Sequence, residues 1–371
     1  MERTTIIGCG LIGGSMALAL KQRRPGNEVV CLDLETRLPA IREANVSDQT
    51  GTLEDLELFL PMSSLVILAT PVQTIPDVLT RMVPFLRPGT VVSDVGSTKK
   101  QTMARARALL PPGVHFIGGH PMAGAESSGI ESADPLLFSE KVYLLCPFPD
   151  TPPESLLMMI SLVECLLAQP ITIDPDEHDR IMAAVSHVPQ LVAIALMRAA
   201  LEQDASHGML AKVAGRGFLD MTRLAASDYA MWKGILDSNR DAIEQSMERF
   251  LSSLQEVHDL LDHDRLASIW EDAGKQRRTM DPAGRARKSD LRTVIDRCDK
   301  QILTALRTRM LAARRIGKLK ISQDAPIHDP DRERRMLSER SGWAGLLGIP
   351  QQLVDDLFEV ILKHSIQAQA R

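Results

Sequence analysis

The stretch TTIIGCGLIGGSMALALKQR, residues 4–23, with EVVCLD following at 28–33, decides the architecture of the N-terminal half. A short apolar run passes without a break into Gly8, Gly10 and Gly13, spaced as GxGxxG, and then into residues at helical spacing. A second apolar run ends in Asp33, twenty residues beyond Gly13. Strand, glycine turn, helix, strand and terminal acid form the context in which glycines serve a phosphate. They permit a tight turn and close backbone approach, and the helix start, Leu11 and Ile12 with Gly13, presents its amides to a pyrophosphate.

Working outward, further short apolar runs (SLVILATP, TVVSDVG, VHFIGG, KVYLLCP) alternate with stretches of helical spacing as far as Leu167. That alternation predicts parallel strands joined by crossover helices, an α/β Rossmann-like dinucleotide-binding domain over residues 1–167. Asp33 is placed to accept hydrogen bonds from both ribose hydroxyls and to repel a 2′-phosphate, so NAD is expected rather than NADP, with Arg37 close by in sequence. Thr70 and Pro71 end the run SLVILATP, at the strand edge where ligands bind in open parallel sheets, and are assigned to cofactor contact.

Past Pro170 the pattern changes. Segments such as DRIMAAVSHVPQLVAIALMRAALEQ (179–203) and RDAIEQSMERFLSSLQEVHDLL (240–261) repeat apolar residues at three and four, predicting an all-α domain over 168–276. A basic linker follows at 277–288, centred on Asp-Pro-Ala-Gly. Residues 289–371 then read as three helices: a long one to about Lys320, a shorter one after DAPIHDPDRE, and a last one from about Gln351. Three helices with one long member do not readily close a core alone, so a homodimer is expected.

Composition limits the function classes. With 371 residues, 44% hydrophobic and 25% charged, the chain is long enough for two or three globular domains. No apolar run is expected to approach the eighteen or so residues that span a bilayer, and MERTTIIGCG enters a strand at once, so a cytoplasmic protein without membrane partners is expected. A net charge of -5 gives no reason to expect nucleic acid. Cys9, Cys31, Cys146, Cys165 and Cys298 are scattered and odd in number, which suggests neither disulfides nor a metal site.

A nicotinamide enzyme oxidising an alcohol needs a group to receive the hydroxyl proton, and neutral histidine suits that near neutral pH. Among nine histidines, His120 follows the strand VHFIGG at its carboxyl edge, beside glycines that admit substrate. SDVGSTK (93–99), GGHPMAGAESSG (118–129), SHVPQ (186–190) and GFLDMTRLAASDYAMW (217–232) together resemble the prephenate dehydrogenase family. The resemblance implies that His120 accepts the ring hydroxyl, that Ser97 orients it, and that Arg223 binds a carboxylate. Ser186, Glu126 and Trp232 would line the pocket. Gln190 stands where many members carry a second histidine, so a gating role tied to that histidine does not transfer.

In the C-terminal segment Arg309 and Lys320 lie eleven residues apart, about three turns and roughly 16 Å along one helix face. Arg292 precedes Arg309 by seventeen residues, about 4.7 turns, and points elsewhere, so a site using all three takes Arg292 from a partner chain. Residues 291–369 resemble the all-helical chorismate mutase family, which implies site positions at Arg292, Arg309, Lys320, Asp329, Arg332, Glu333, Ser365 and Gln369. By that resemblance Arg309 and the partner's Arg292 hold two carboxylates, Lys320 and Gln369 donate to the breaking ether oxygen, and Glu333 takes the ring hydroxyl. The combined expectation is conversion of chorismate to prephenate and of prephenate, with NAD, to 4-hydroxyphenylpyruvate. The competing reading is a monofunctional prephenate or arogenate dehydrogenase whose C-terminal helices only dimerise or regulate.

Overall fold

The computed structural model describes residues 2–124, 129–204, 208–261, 265–280, 329–347 and 349–369, with scattered positions between 299 and 328. It divides into two compact units, 1–259 and 260–371.

The first unit is built on an eight-stranded sheet. Its strands are β1 (Arg3–Ile7), β2 (Glu28–Leu32), β3 (Gln49–Gly51), β4 (Ser63–Leu68), β5 (Val91–Asp94), β6 (His115–Pro121), β7 (Val142–Pro147) and β8 (Gln169–Thr172), in the order β3-β2-β1-β4-β5-β6-β7-β8. The principal helices are α1 (Leu11–Arg23), α2 (Lys100–Leu109), α3 (Pro153–Cys165), α4 (Pro175–Met182), α5 (Val188–Asp204), α6 (Tyr229–Ser238) and α7 (Arg240–Asp259). The central strands read as unbroken apolar runs because both faces are covered. Ile6, Cys31 and Ile67 face one cluster with Met16 and Leu162, while Ile7, Leu32 and Val66 face another with Leu79 and Met82. Each fully buried side chain of this size contributes about 1.5–3 kcal/mol.

Two features depart from the expected all-parallel sheet. β7 runs antiparallel to β6: among the described residues between them there is no long crossover helix, only a short 3-10 turn at Ile130–Ser132; α3 then supplies a crossover and β8 is parallel to β7. β3 and β8 were also not anticipated. β3 has only three residues, none of them a large apolar one, and β8 has four that are mostly exposed, so neither carries a hydrophobic signal.

α4 starts where Asp174 caps it, its Oδ1 accepting from the amides of Asp176 (2.9 Å) and Glu177 (3.2 Å), with Pro175 in the first turn. The helix continues to Asp204 through a π-turn at Ala183–His187, where the amide of Val188 reaches back five residues to the carbonyl of Ala183. Pro189 gives the reason: it has no amide for the carbonyl of Val185, and the chain absorbs the mismatch as one wide turn. By length and composition Pro175–Asp204 could cross a membrane, which corrects the expectation that no such run exists. His187 and Gln190 are nevertheless buried within it, at 1% and 3% exposure, and both are hydrogen-bonded to the rest of the unit, as in a packed helix of a globular domain.

The sheet and the helices that follow it lie within one compact unit and are joined by hydrogen bonds. Asp179 on α4 receives the backbone amides of Lys99 (2.7 Å) and Lys100 (2.9 Å), and Ser238 on α6 bonds Thr98 at 2.7 Å. The second unit contains α8 (Arg265–Thr279), α9 (Pro330–Leu347) and α10 (Gln351–Gln369). The described positions between 302 and 321 are helical, as expected for the long first helix. α8, which the sequence reading assigns to the preceding domain, therefore falls within the C-terminal unit.

Candidate active sites

The carboxyl ends of β1 and β4 are adjacent strands at the point where the strand order reverses, and their loops build the first site. Gly8 has φ +95°, and a Cβ on Gly13 would lie 2.0 Å from the carbonyl oxygen of Gly8, so the turn closes only with glycines. Gly10 faces open space, and as N-cap of α1 it offers no side chain to the first-turn amides of Leu11, Ile12 and Gly13. Across the gap, Thr70 Oγ1 is buried without a partner among the described residues, and Pro71 is exposed beside it. Uncapped amides and an unpaired hydroxyl around an open cradle fit a diphosphate.

Asp33 closes this cradle. It is 8% exposed, and its Oδ2 and Oδ1 already accept the amides of Cys9 and Leu34, both at 2.7 Å. Each oxygen retains one lone pair, so the carboxylate stands at the cradle as a fixed acceptor rather than a free one. Arg37 stays 3.8 Å away and is itself exposed. Among the described residues no cluster of His, Cys, Asp and Glu could hold a metal ion.

His120 lies near the end of β6, and a closed circuit of hydrogen bonds holds it. Its Nδ1 is 2.9 Å from Nε2 of His178, whose Nδ1 is 2.7 Å from Oδ1 of Asp179. Asp179 holds the amide of Lys99, and the ammonium of Lys99 is paired with Asp94 and donates to the carbonyl of Gly119 at 2.8 Å. Asp94 in turn accepts the amide of Gly119 at 3.1 Å, which returns the circuit to the residue before His120. Lys99, Asp94 and His178 are all fully buried. Burial first, then His178, Lys99 and His187, hold the His120 imidazole well below its ordinary value, so it is neutral at physiological pH.

Ser97, expected to orient His120, follows β5 at the same edge but is not hydrogen-bonded to it, whereas His178 is. Ser186 lies in the π-turn, next to His187, whose Nδ1 accepts from Asn239 Nδ2 at 3.2 Å. Burial pushes His187 down to about 4. Trp232 stacks edge-on against it with ring centroids 6.0 Å apart, and Trp232 Nε1 is buried without a partner among the described residues. Arg223 opens a short 3-10 turn, Arg223–Ala226, and is exposed. Gln190 fastens that turn, its Nε2 donating to the carbonyl of Leu224 at 2.8 Å. Glu126 lies outside the described residues.

In the second unit Arg309 is bonded to the hydroxyl of Ser365, and its other terminal nitrogen is 3.7 Å from the sulfur of Met336. Burial first, then the nearby charge of Arg340, lowers its guanidinium from the ordinary value. Asp329 caps α9 by accepting the amide of Arg332 at 3.0 Å, and Glu333 reaches back to the amide of Asp329 at 3.3 Å and to His328 at 3.2 Å. The amide of Arg332 first, then Lys320 among the neighbouring cations, depresses the Asp329 carboxyl, which puts Lys320 near the same helix end. The Arg332 side chain is exposed. Gln369 carries a buried Oε1 with no partner among the described residues. Arg292 lies outside them.

Sequence reasoning missed His178, Asp179, Lys99, Asp94 and Asn239. The available signal was EHD within DPDEHDRIM, two chemistry-bearing residues in the first turns of a helix, which also read as ordinary cap residues.

Three family descriptions match the chain: "Prephenate dehydrogenase, nucleotide-binding domain" over residues 16–171, "Prephenate dehydrogenase, dimerization domain" over 174–272, and "Chorismate mutase type II" over 291–370. A prephenate dehydrogenase of Lactococcus lactis subsp. cremoris is 32% identical over 262 residues, 69% of this chain and 70% of that one. The T-protein of Enterobacter agglomerans is 33% identical over 79 residues, 21% of each chain. The crystal structure of prephenate dehydrogenase from A. aeolicus, in complex with hydroxyphenyl propionate and NAD+, superimposes with a TM-score of 0.70 at 28% identity, covering 76% of this chain and 99% of that one. With its glycine cradle, its His120 circuit and its Arg309 site in place, the chain belongs to the prephenate dehydrogenase family and carries a chorismate mutase type II domain behind it.

Proposed function

We propose that this chain is a bifunctional enzyme of tyrosine biosynthesis. Its C-terminal helices rearrange chorismate to prephenate, and its N-terminal unit oxidatively decarboxylates prephenate to 4-hydroxyphenylpyruvate with NAD. The carrying observation is a neutral histidine, His120, clamped at the sheet's carboxyl edge beside a diphosphate cradle.

When bound, NAD supplies the hydride acceptor. Leu11, Ile12 and Gly13 offer amides to its diphosphate, Thr70 its unpaired hydroxyl and Asp33 a ribose acceptor. His120 holds the proton of the ring hydroxyl while hydride leaves the carbon that bears it. Arg223 engages a carboxylate with its planar fork, Ser186 and Trp232 line the pocket, and Glu126 is assigned beside them. The leaving carboxylate departs as carbon dioxide, its bonding pair completes the aromatic ring, and the proton stays with the phenolic oxygen. No net proton is released, so His120 acts as an acceptor that lends stabilisation rather than as a base that must be reset.

The rearrangement needs no nucleophile, acid or cofactor, only donors fixed around a dianion. Arg309 with the partner's Arg292 holds the carboxylates, Lys320 and Gln369 donate to the ether oxygen, and Glu333 takes the ring hydroxyl. Asp329 and Arg332 fix the helix end from which Glu333 acts, and Ser365 orients Arg309. The protein works in the cytoplasm as a homodimer, and the exposed Val185, Leu219, Met221, Tyr229, Met231 and Leu251 of the helical region supply apolar surface for the contact.

Two assays test the proposal: disappearance of chorismate without NAD, and NADH formation from prephenate. Turnover in both is expected. No loss of chorismate removes the mutase assignment, and no NADH removes the dehydrogenase assignment.

A further inference from the structure

His120 could present either ring nitrogen as its acceptor, and only the nitrogen facing the pocket is of use to a substrate. The partners of its other nitrogen decide between the two. Asp179 receives the backbone amides of Lys99 and Lys100 on its two oxygens, so it faces His178 as an acceptor. Nδ1 of His178, 2.7 Å from Oδ1 of Asp179, must therefore carry hydrogen. In a neutral ring Nε2 of His178 is then an acceptor, and it lies 2.9 Å from Nδ1 of His120. The hydrogen between the rings belongs to His120 Nδ1, and His120 Nε2 is left as a bare lone pair.

We infer that His178 and Asp179 are positioning residues for the dehydrogenase: the chain Asp179–His178–His120 fixes the one tautomer of His120 whose Nε2 can accept the substrate hydroxyl. Free histidine prefers hydrogen on Nε2, so this tautomer is imposed by the fold. The ring planes, 60° apart with centroids at 5.1 Å, are set for an in-line hydrogen bond and not for stacking. The backbone is held as firmly as the ring, because Lys99 and Asp94 grip both sides of the Gly119 peptide. The charged and titratable groups around the pair are Lys99, Asp94, Asp179 and His187. A protonated His178 would reverse the chain, place hydrogen on His120 Nε2 and abolish the acceptor.

The inference rests on the dehydrogenase reading for its kinetic consequence alone, since the tautomer can be observed without turnover. With nitrogen-15 labelled histidine in the full-length protein at pH 8, and the His120 signals assigned by their loss in His120→Asn, Nδ1 is expected to be protonated and Nε2 bare. The Nε2–H form in the unaltered protein overturns the inference even if the dehydrogenase is active. His178→Leu, which removes the acceptor, should lower kcat for NADH formation on the order of 10- to 100-fold with KM for prephenate little changed, the usual scale for partners that orient a working ligand. His178→Gln, which can accept from His120 and donate to Asp179, should restore most of that loss. Binding of NAD in the same preparations reports that the N-terminal unit is folded. If folded His178→Leu keeps full kcat, or if His178→Gln is as poor as His178→Leu, the positioning role is refuted. If the unaltered chain makes no NADH, the dehydrogenase reading fails while the tautomer result still decides the inference.

Discussion

His120 and Arg309 stand at the centres of two sites built on opposite electrostatic plans. Around His120 the charges of the hydrogen-bond circuit are paired and buried before substrate arrives: Lys99 with Asp94, and Asp179 with two backbone amides. Around Arg309 burial first, and then a second cation, Arg340, itself paired with Glu339 at 3.0 Å, lower its affinity for a proton, and the amide oxygen of Gln369 is buried with no partner among the described residues. The first arrangement suits a reaction in which a neutral acceptor must stay neutral while hydride departs. The second suits a dianion whose binding itself relieves the repulsion between fixed cations. The difference shows how far each site is finished by its own chain: the dehydrogenase network closes on itself, whereas the mutase cluster is completed by ligand and, in our proposal, by a partner's arginine.

The largest expected effect separates the two sites outright. His120→Asn should lower NADH formation by about 10²- to 10⁴-fold, the usual worth of a positioned acid or base, and leave chorismate turnover intact. A loss below about tenfold would show that His120 is not the acceptor. The pH profile carries the same information. Because burial holds the folded imidazole well below 6.5, kcat/KM attributable to this group should stay level as pH falls from 8 through 6.5 and decline only below, on protonation of the folded form. A break near 6.5 that His120→Asn abolishes would contradict the buried, neutral acceptor.

Arg309→Ala should cost the mutase on the order of 10²- to 10³-fold, as removal of a preorganised donor to developing charge does, with NADH formation unchanged. Arg292→Ala should do the same. Mixed dimers of the two variants should regain activity, because one of the two shared sites then has both arginines. Failure to recover in verified mixed dimers would show that the site belongs to one chain, and the contrast between a self-contained and a shared site would fall.

Trimming the last three residues tests how the mutase site ends. A Cβ on Gly317 would lie 2.3 Å from the carbonyl oxygen of Gln369, so the end of α10 packs tightly on the long helix as well as supplying an amide. Removal should lower mutase kcat by about 10- to 100-fold, and Gln369→Ala, which keeps the packing, should retain most of that loss if the side chain itself donates. Equal activity of Gln369→Ala and the unaltered chain would make the terminus a packing element only.

How much of this was legible depended on whether a residue's duty left a periodic trace. GxGxxG, Asp33 and the apolar strands announce themselves because turn geometry and two-sided burial dictate residue types in order. β8 does not, since QPIT is short and largely exposed. Arg309 was marked by its spacing from Lys320 and Ser365 only by resemblance to the chorismate mutase family, and the structure brings the two into contact from positions 56 residues apart. His178 and Asp179 were not, because a helix start explains acidic residues without invoking a site; only the fold shows that α4 lays them against His120. Ser97 illustrates the converse: its place in a telling motif suggested a contact that the geometry gives to His178.

Gln190 should yield the smallest effect. Its side chain is 3% exposed, donates to the carbonyl of Leu224 and lies 3.4 Å from the hydroxyl of Ser227, so it braces the turn that begins at Arg223. A neutral histidine there can still donate one hydrogen bond to that carbonyl, and at pH 8 Gln190→His should change KM for prephenate by less than about threefold, since a single neutral hydrogen bond contributes only about 1 kcal/mol. As pH falls the introduced imidazole would gain a proton in a buried place, which burial opposes, so any new pH dependence should appear below 6.5 and act on KM more than on kcat, because the brace holds the carboxylate-binding turn rather than His120. A change confined to kcat would instead connect Gln190 to the His120 circuit, and the division between a closed acceptor network and a separately braced binding turn would have to be abandoned.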